Sequence, residues 1–304
     1  MRSIRIHIVV IAATLAVAAL VVSFAARNSR GQSPSPKSES PVRSTVLITT
    51  DRTISKATSS FAAASARNAV LKDELNWTFG GKQQRGWYLY SLLIGQVLNT
   101  QTHPAASEFA AALTVWQKKM GLRADGVLDV DSFMAMVSHW QSNRLKNRTY
   151  AEPDQLVTAK SSDFYDPARA EELRQVERNT YAAYKKMVAA AIADSSLNRA
   201  RGAFGELAPT EKYFKIVSAF RPREYQEQLR RQSPNAGSAG LAVNSPHFTG
   251  RALDIYVGGD PVDTRDSNRT IQVNTRAYQW LVRNAGRFGF RPYFYEPWHW
   301  EYVR

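Results

Sequence analysis

Two short strings near the C-terminal end of the sequence narrow the folds open to this chain. One is Ser245-Pro246-His247-Phe248-Thr249-Gly250-Arg251-Ala252-Leu253-Asp254, and the other is Glu296-Pro297-Trp298-His299. The first string runs into residues 252–257, where Leu253, Ile255 and Val257 alternate with Ala252, Asp254 and Tyr256. In a strand the first set shares one face and packs into a core, while Asp254 takes the other face, where a cleft can lie. His247 precedes that strand on a loop bent by Pro246 and Gly250, which can curl back so that the imidazole meets the carboxylate. Glu296 and His299 are three apart, and an extended strand would place them on opposite faces. Pro297 argues instead for a turn, which can aim both at one point.

Two imidazoles, one aspartate and a separate glutamate form the donor set of a one-metal hydrolytic site. Zinc takes His nitrogen and carboxylate oxygen readily, and a catalytic site leaves the fourth position open to water. A further carboxylate that is not a ligand can move protons. The chain has no cysteine, which removes disulfides, thiolate zinc sites and a cysteine nucleophile together. Of the chain's five histidines, His103 and His139 fall in the helical unit of the chain without ligand spacing and read as structural. Asp260, Asp263 and Asp266 lack the spacing of a calcium loop and read as a solvated loop. Glu301, two residues past His299, competes with Glu296 for the base role and ranks below it.

The remaining chain divides by composition. Residues 6–26 are nearly all apolar, broken by His7, Thr14 and Ser23, with Arg2 and Arg5 before them. Roughly twenty apolar residues can cross a bilayer as a helix. Segment 1–27 therefore reads as a transmembrane signal anchor, or as a signal peptide cleaved at Ser23-Phe24-Ala25. Residues 28–62, rich in Ser, Pro, Thr and charge, read as a flexible linker. Residues 63–142 read as a small helical domain: residues 88–98 are apolar at helical spacing, Phe109, Leu113, Trp116, Gln117 and Met120 form a second stripe, and Asp131 is placed to cap a third helix carrying Phe133, Met136, Val137 and Trp140. A polar linker, 143–162, leads to a last domain, 163–304. There Asp166-Pro167 predicts the start of a helix running to about residue 193, residues 213–220 predict a strand, 222–232 a short helix, 258–274 a polar excursion, and Thr275 caps a helix that Gly289 ends. Strands and helices mixed in this order predict an α+β domain with an antiparallel sheet. The net charge of +14 draws such a chain to polyanions, and with no compact Lys/Arg run interleaved with aromatics a nucleic-acid partner is disfavoured.

The pattern SxHxxGxAxD followed by ExxH resembles the zinc D-alanyl-D-alanine carboxypeptidase family, which includes the VanY-type enzymes. Ser218-Ala219-Phe220-Arg221-Pro222-Arg223-Glu224-Tyr225-Gln226 also resembles a family segment, with Ala219 and Phe220 in place of Gly-Tyr and Pro222 in place of Ser. The resemblance implies a zinc DD-peptidase (Hedgehog/DD-peptidase-like) fold, a zinc ion held by His247, Asp254 and His299, Glu296 as general base, Arg221 on the substrate carbonyl or carboxylate, and Ser218, Gln226 and Ser245 lining the substrate pocket. The implied substrate is the terminal D-alanyl-D-alanine bond of peptidoglycan stem peptides; endopeptidase or L,D-carboxypeptidase work, or a wall-binding module without turnover, stay open as alternatives. The string FAAALTVWQKKMGLRADGVLDVDSFMAM resembles the three-helix peptidoglycan-binding domain found beside many wall hydrolases, which implies contact with the wall glycan. The implied place of action is the bacterial cell envelope, with the catalytic domain outside the cytoplasm, held by the N-terminal helix or secreted if that segment is removed.

Overall fold

The structure, a computed structural model, describes residues 49–232 and 244–304, with side chains from residue 61 onward. The expected membrane segment 6–26 lies outside the described residues, and among those described no helix is long and apolar enough to cross a membrane. The described residues all belong to one compact unit, Ile48–Arg304.

The first part is helical, with α1 (Thr49–Glu74), α2 (Ser91–Leu98), α3 (Ser107–Lys119) and α4 (Val130–Ser142). Helix α1 thus begins inside the stretch that composition reads as a spacer. Between α1 and α2 lies a hairpin not expected from the sequence, β1 (Asn76–Phe79) paired with β2 (Lys82–Arg85). Its two-residue loop, Gly80-Gly81, has positive φ at both positions (57° and 77°), the conformation that favours glycine and matches the twist of a hairpin. Helix α4 is capped by Asp129, whose side chain accepts from Ser132 N at 2.9 Å, and not by Asp131. The preceding turn is held by two buried amides: Gln117 accepts from Gly126 N at 2.9 Å, and Asn68 donates to Gly126 O at 2.9 Å.

The second part mixes helix and sheet. A short pair, β3 (Leu156–Thr158) and β4 (Gln175–Glu177), is followed by α5 (Arg178–Ala193), β5 (Ile216–Ser218), α6 (Arg223–Gln232), β6 (Ala252–Ile255), α7 (Asp266–Val273), α8 (Arg276–Asn284), β7 (Phe290–Pro292) and β8 (His299–Tyr302). Strands β5, β6, β8 and β7 form one antiparallel sheet in that order.

Helix α5 starts at Arg178, eleven residues later than Pro167 suggests, because residues 175–177 are drawn into pairing with β3. Glu177 then supplies the cap, accepting from Asn179 N at 2.9 Å and Thr180 N at 2.7 Å, while Asp166 closes only a local turn with Ala168 N at 2.9 Å. The expected strand at 213–220 shrinks to three residues, since Phe214 adopts a left-handed φ of 68° and the pairing shifts register between Ile216 and Ser218. The expected polar excursion at 258–274 contains α7.

Leu253, Ile255 and Val257 enter one apolar core with Tyr184, Met187, Val188 and Ala191 of α5 and Leu281 of α8. Burying side chains of this size contributes about 1.5–3 kcal/mol each. The same core takes in Trp77, Tyr90, Phe133 and Trp140 from the helical part; Trp77, Tyr90 and Trp140 meet on Phe294, with the Trp140 and Phe294 rings stacked at 5.6 Å, and Phe133 packs on Trp77 and Tyr90 behind them.

Candidate active site and metal centre

The sheet register lines up the site. Ser218 on β5 is paired with Asp254 on β6, and Asp254 is paired with His299 on β8, so three neighbouring strands present these side chains side by side. His247 reaches the row from the 3-10 turn Pro246–Thr249. That turn is capped by Ser245, whose hydroxyl accepts from His247 N at 3.3 Å, and it ends at Gly250 with φ 65°. A Cβ at Gly250 would lie 2.8 Å from both Glu177 N and the Leu156 side chain, so only glycine permits this approach. Glu296 sits in a double turn: Glu296 N donates to Tyr293 O at 3.1 Å, and His299 N donates to Glu296 O at 2.9 Å across Pro297-Trp298. Pro297 thus occupies the second position of a turn, as its fixed φ favours.

Ligand atoms of His247, Asp254 and His299 all lie within 4.8 Å of one another, and all three residues are buried. Asp254 Oδ1 is 3.3 Å from His247 Nε2 and 2.9 Å from His299 Nδ1. Donor atoms around a tetrahedral zinc are roughly 3.3 Å apart, given bonds of about 2.0 Å, so the separations are of the right size. Each imidazole has its outer nitrogen held by an oxygen: His247 Nδ1 lies 2.6 Å from Ala219 O, and His299 Nε2 lies 3.2 Å from Glu301 Oε1. This leaves His247 Nε2 and His299 Nδ1 facing the centre, the arrangement that orients metal-binding histidines. Glu296 Oε2 is 3.9 Å from His299 Nδ1. The residues present therefore fit a zinc ion.

The charges agree with that fit. Three buried carboxylates, Asp254, Glu296 and Glu301, face two guanidiniums, Arg221 and Arg144. Burial pushes the Glu296 carboxyl up to about 8. Burial alone would lower His299, but its hydrogen bonds to Asp254 and Glu301 outweigh that and raise it to about 9. His247 is lowered to about 4 by burial and by Arg221, which keeps it neutral and able to donate a lone pair. Burial would raise Asp254, yet His247 and Arg221 hold it well below the ordinary carboxylate range.

The other candidate residues gather around Arg221. Its guanidinium donates to Ser218 Oγ at 2.9 Å, to Gln226 Oε1 at 3.4 Å and to Asp254 Oδ2. Ser218 and Gln226 thus brace the arginine, and Ser245 caps the His247 turn. Glu301, which the sequence ranks below Glu296 for the base role, has a place of its own. Fully buried and behind His299, its carboxylate orients the imidazole and does not face the centre as a base would. Strand alternation offered a signal, because Glu301 lies two residues from His299 and so on the same face.

No curated protein matches the chain. Residues 173–304, which include every residue of the His247, Asp254, Glu296 and His299 constellation, match the family model VanY, D-alanyl-D-alanine carboxypeptidase. The mixed helix-and-sheet region bearing the site is thus a VanY-like domain of the D-alanyl-D-alanine carboxypeptidase family.

Proposed function

We propose that this protein is a zinc-dependent peptidase that hydrolyses the terminal D-alanyl-D-alanine bond, or a similar bond to a D-amino acid, in peptidoglycan stem peptides. One observation carries the reading: two imidazole nitrogens and a carboxylate oxygen converge within 4.8 Å in a buried site, with the separate carboxylate of Glu296 beside them. His247, Asp254 and His299 would hold the metal. Bound there, zinc supplies Lewis-acid chemistry, making water more acidic and polarising a carbonyl. Glu296 takes the proton from the attacking water and returns it to the leaving amine, a role open to a buried carboxylate that lies beside the three ligands and is not one of them. Arg221, fixed by Ser218 and Gln226, supplies permanent positive charge for the oxyanion or the terminal carboxylate of the substrate. Segment 6–26 anchors the protein to the membrane, and the helical part holds it to the wall polymer, which raises the local substrate concentration. The net charge of +14 suits an anionic wall.

The test is mass spectrometry of muropeptides incubated with the zinc-loaded full-length protein and with its Glu296→Ala variant. The expected result is pentapeptide losing one terminal alanine, with the rate reduced roughly 10²- to 10⁴-fold in the variant. Products from tetrapeptides or from cross-linked dimers would move the assignment to an L,D-carboxypeptidase or an endopeptidase. Absence of any product despite bound zinc would overturn the enzyme reading.

A further inference from the structure

We infer that Arg144, outside the family-matched region 173–304, is a positioning residue of the metal centre that acts on His299 through Glu301. The inference rests on the zinc site proposed above and extends it to a part of the chain that the motifs do not reach. Arg144 lies just past α4, at the exit from the helical part. Its Nε and Nη2 both donate to Glu301 Oε1, at 3.0 and 2.5 Å, and the next backbone amide, Leu145 N, donates to Glu301 Oε2 at 2.8 Å. Both oxygens of a carboxylate with 0% exposure are thereby set by residues 144 and 145. The same Oε1 lies 3.2 Å from His299 Nε2.

Arg144 is itself fixed on two sides. Its Nη1 donates to Gln141 Oε1 of α4 at 3.1 Å, and its guanidinium lies 3.8 Å from the centroid of the Tyr293 ring. A continuous path of hydrogen bonds runs from α4 through Arg144 and Glu301 to His299 and then to Asp254. A carboxylate fixed on the outer nitrogen of a ligating imidazole sets its tautomer and ring orientation and raises its basicity, and loss of such a partner lowers metal affinity by about 10- to 100-fold. Without Arg144, Glu301 would keep its place in the sequence but lose the two donors that aim it.

A residue that only stapled the helical part to the sheet would affect stability alone. The experiment is therefore a zinc titration against a chromophoric chelator, using the metal-free full-length protein, Arg144→Ala, Arg144→Lys, Glu301→Gln, and the double variant Arg144→Met/Glu301→Gln, which removes both charges together. Thermal melts accompany each titration. The expected result is zinc bound about 10- to 100-fold more weakly by Arg144→Ala, a smaller loss for Arg144→Lys, and a double variant no weaker than Glu301→Gln. If Arg144→Ala does not fold, the lysine and double variants carry the same comparison. Parent-like zinc affinity in folded Arg144 variants, with only the melting temperature lowered, would overturn the inference and leave Arg144 a staple. Failure of the parent protein itself to bind zinc would instead overturn the metal-site reading, and this inference with it.

Discussion

His299 lies between Asp254 and Glu301, and the electrostatic cost of that position depends on pH. In the metal-free chain its imidazole is held at about 9 against an ordinary 6.5, and the buried Glu296 carboxyl at about 8 against 4.5. A group whose folded pKa is raised contributes stability at low pH and loses it as the pH rises through the folded value. The Glu296 contribution fades between 4.5 and 8, and that of His299 between 6.5 and 9. Urea denaturation of metal-free protein should accordingly show stability falling from pH 6.5 to 9, with a shallower fall in the zinc-loaded form; a flat metal-free profile would refute this charge assignment. At this scale the sequence was informative where a motif is local. His247, Asp254, Glu296 and His299 stand in two strings whose spacing anticipates the cluster. The pairing of Arg144 with Glu301 spans 157 residues, and nothing in either neighbourhood marks it. The contacts of Ser218, Gln226 and Ser245, which support Arg221 and a turn, were equally invisible to spacing.

Gly250 shows how an element boundary can govern the site. Its left-handed φ ends the turn that carries His247, and Glu177 N donates to its carbonyl at 3.0 Å. Gly250→Ala should destabilise the protein by about 1–3 kcal/mol and weaken zinc binding, because the added methyl must push the turn away from Glu177 and Leu156. Denaturant melts and zinc titration of the variant check both effects; parent-like values for both would show that the turn can shift without disturbing His247. Elements were legible where one face repeats: α2, α3 and α4, the alternation in β6, and the Thr275-capped α8, continued by a 3-10 turn at Ala285–Phe288 that Gly289 ends, all follow the apolar period. They were illegible where a partner decides. The start of α5 moved because β4 pairs with β3, and no property of residues 167–177 alone reveals that competitor.

At the scale of the whole unit, the helical part and the VanY domain share apolar packing. Phe294 is 2% exposed and meets Trp77, Phe79, Tyr90 and Trp140, two residues before Glu296. Buried Arg269 adds polar ties, donating to Tyr90 Oη at 3.1 Å and to Tyr295 O at 3.2 Å. Heating should therefore unfold residues 48–304 in one calorimetric transition, and Phe294→Ala should cost about 3–5 kcal/mol while keeping that transition single. Two separated transitions in the parent protein would show that the shared packing does not couple the parts. The aromatic residues of the helical part were readable as core, but the surface they pack on was not, because composition does not reveal a contact between segments more than 150 residues apart.

Strand β8 lies between β6 and β7 in the sheet although it follows both in the sequence. It pairs with β7 across a short connection and with β6 across a much longer one, so the β6–β8 pairing is the one whose closure costs more chain entropy. His299 and Glu301 both lie on that strand, so the pairing that joins β8 to β6 is also the one that sets His299 beside Asp254. One strand thus carries both the imidazole and the carboxylate that orients it, and the candidate centre is complete only where β8 closes the sheet.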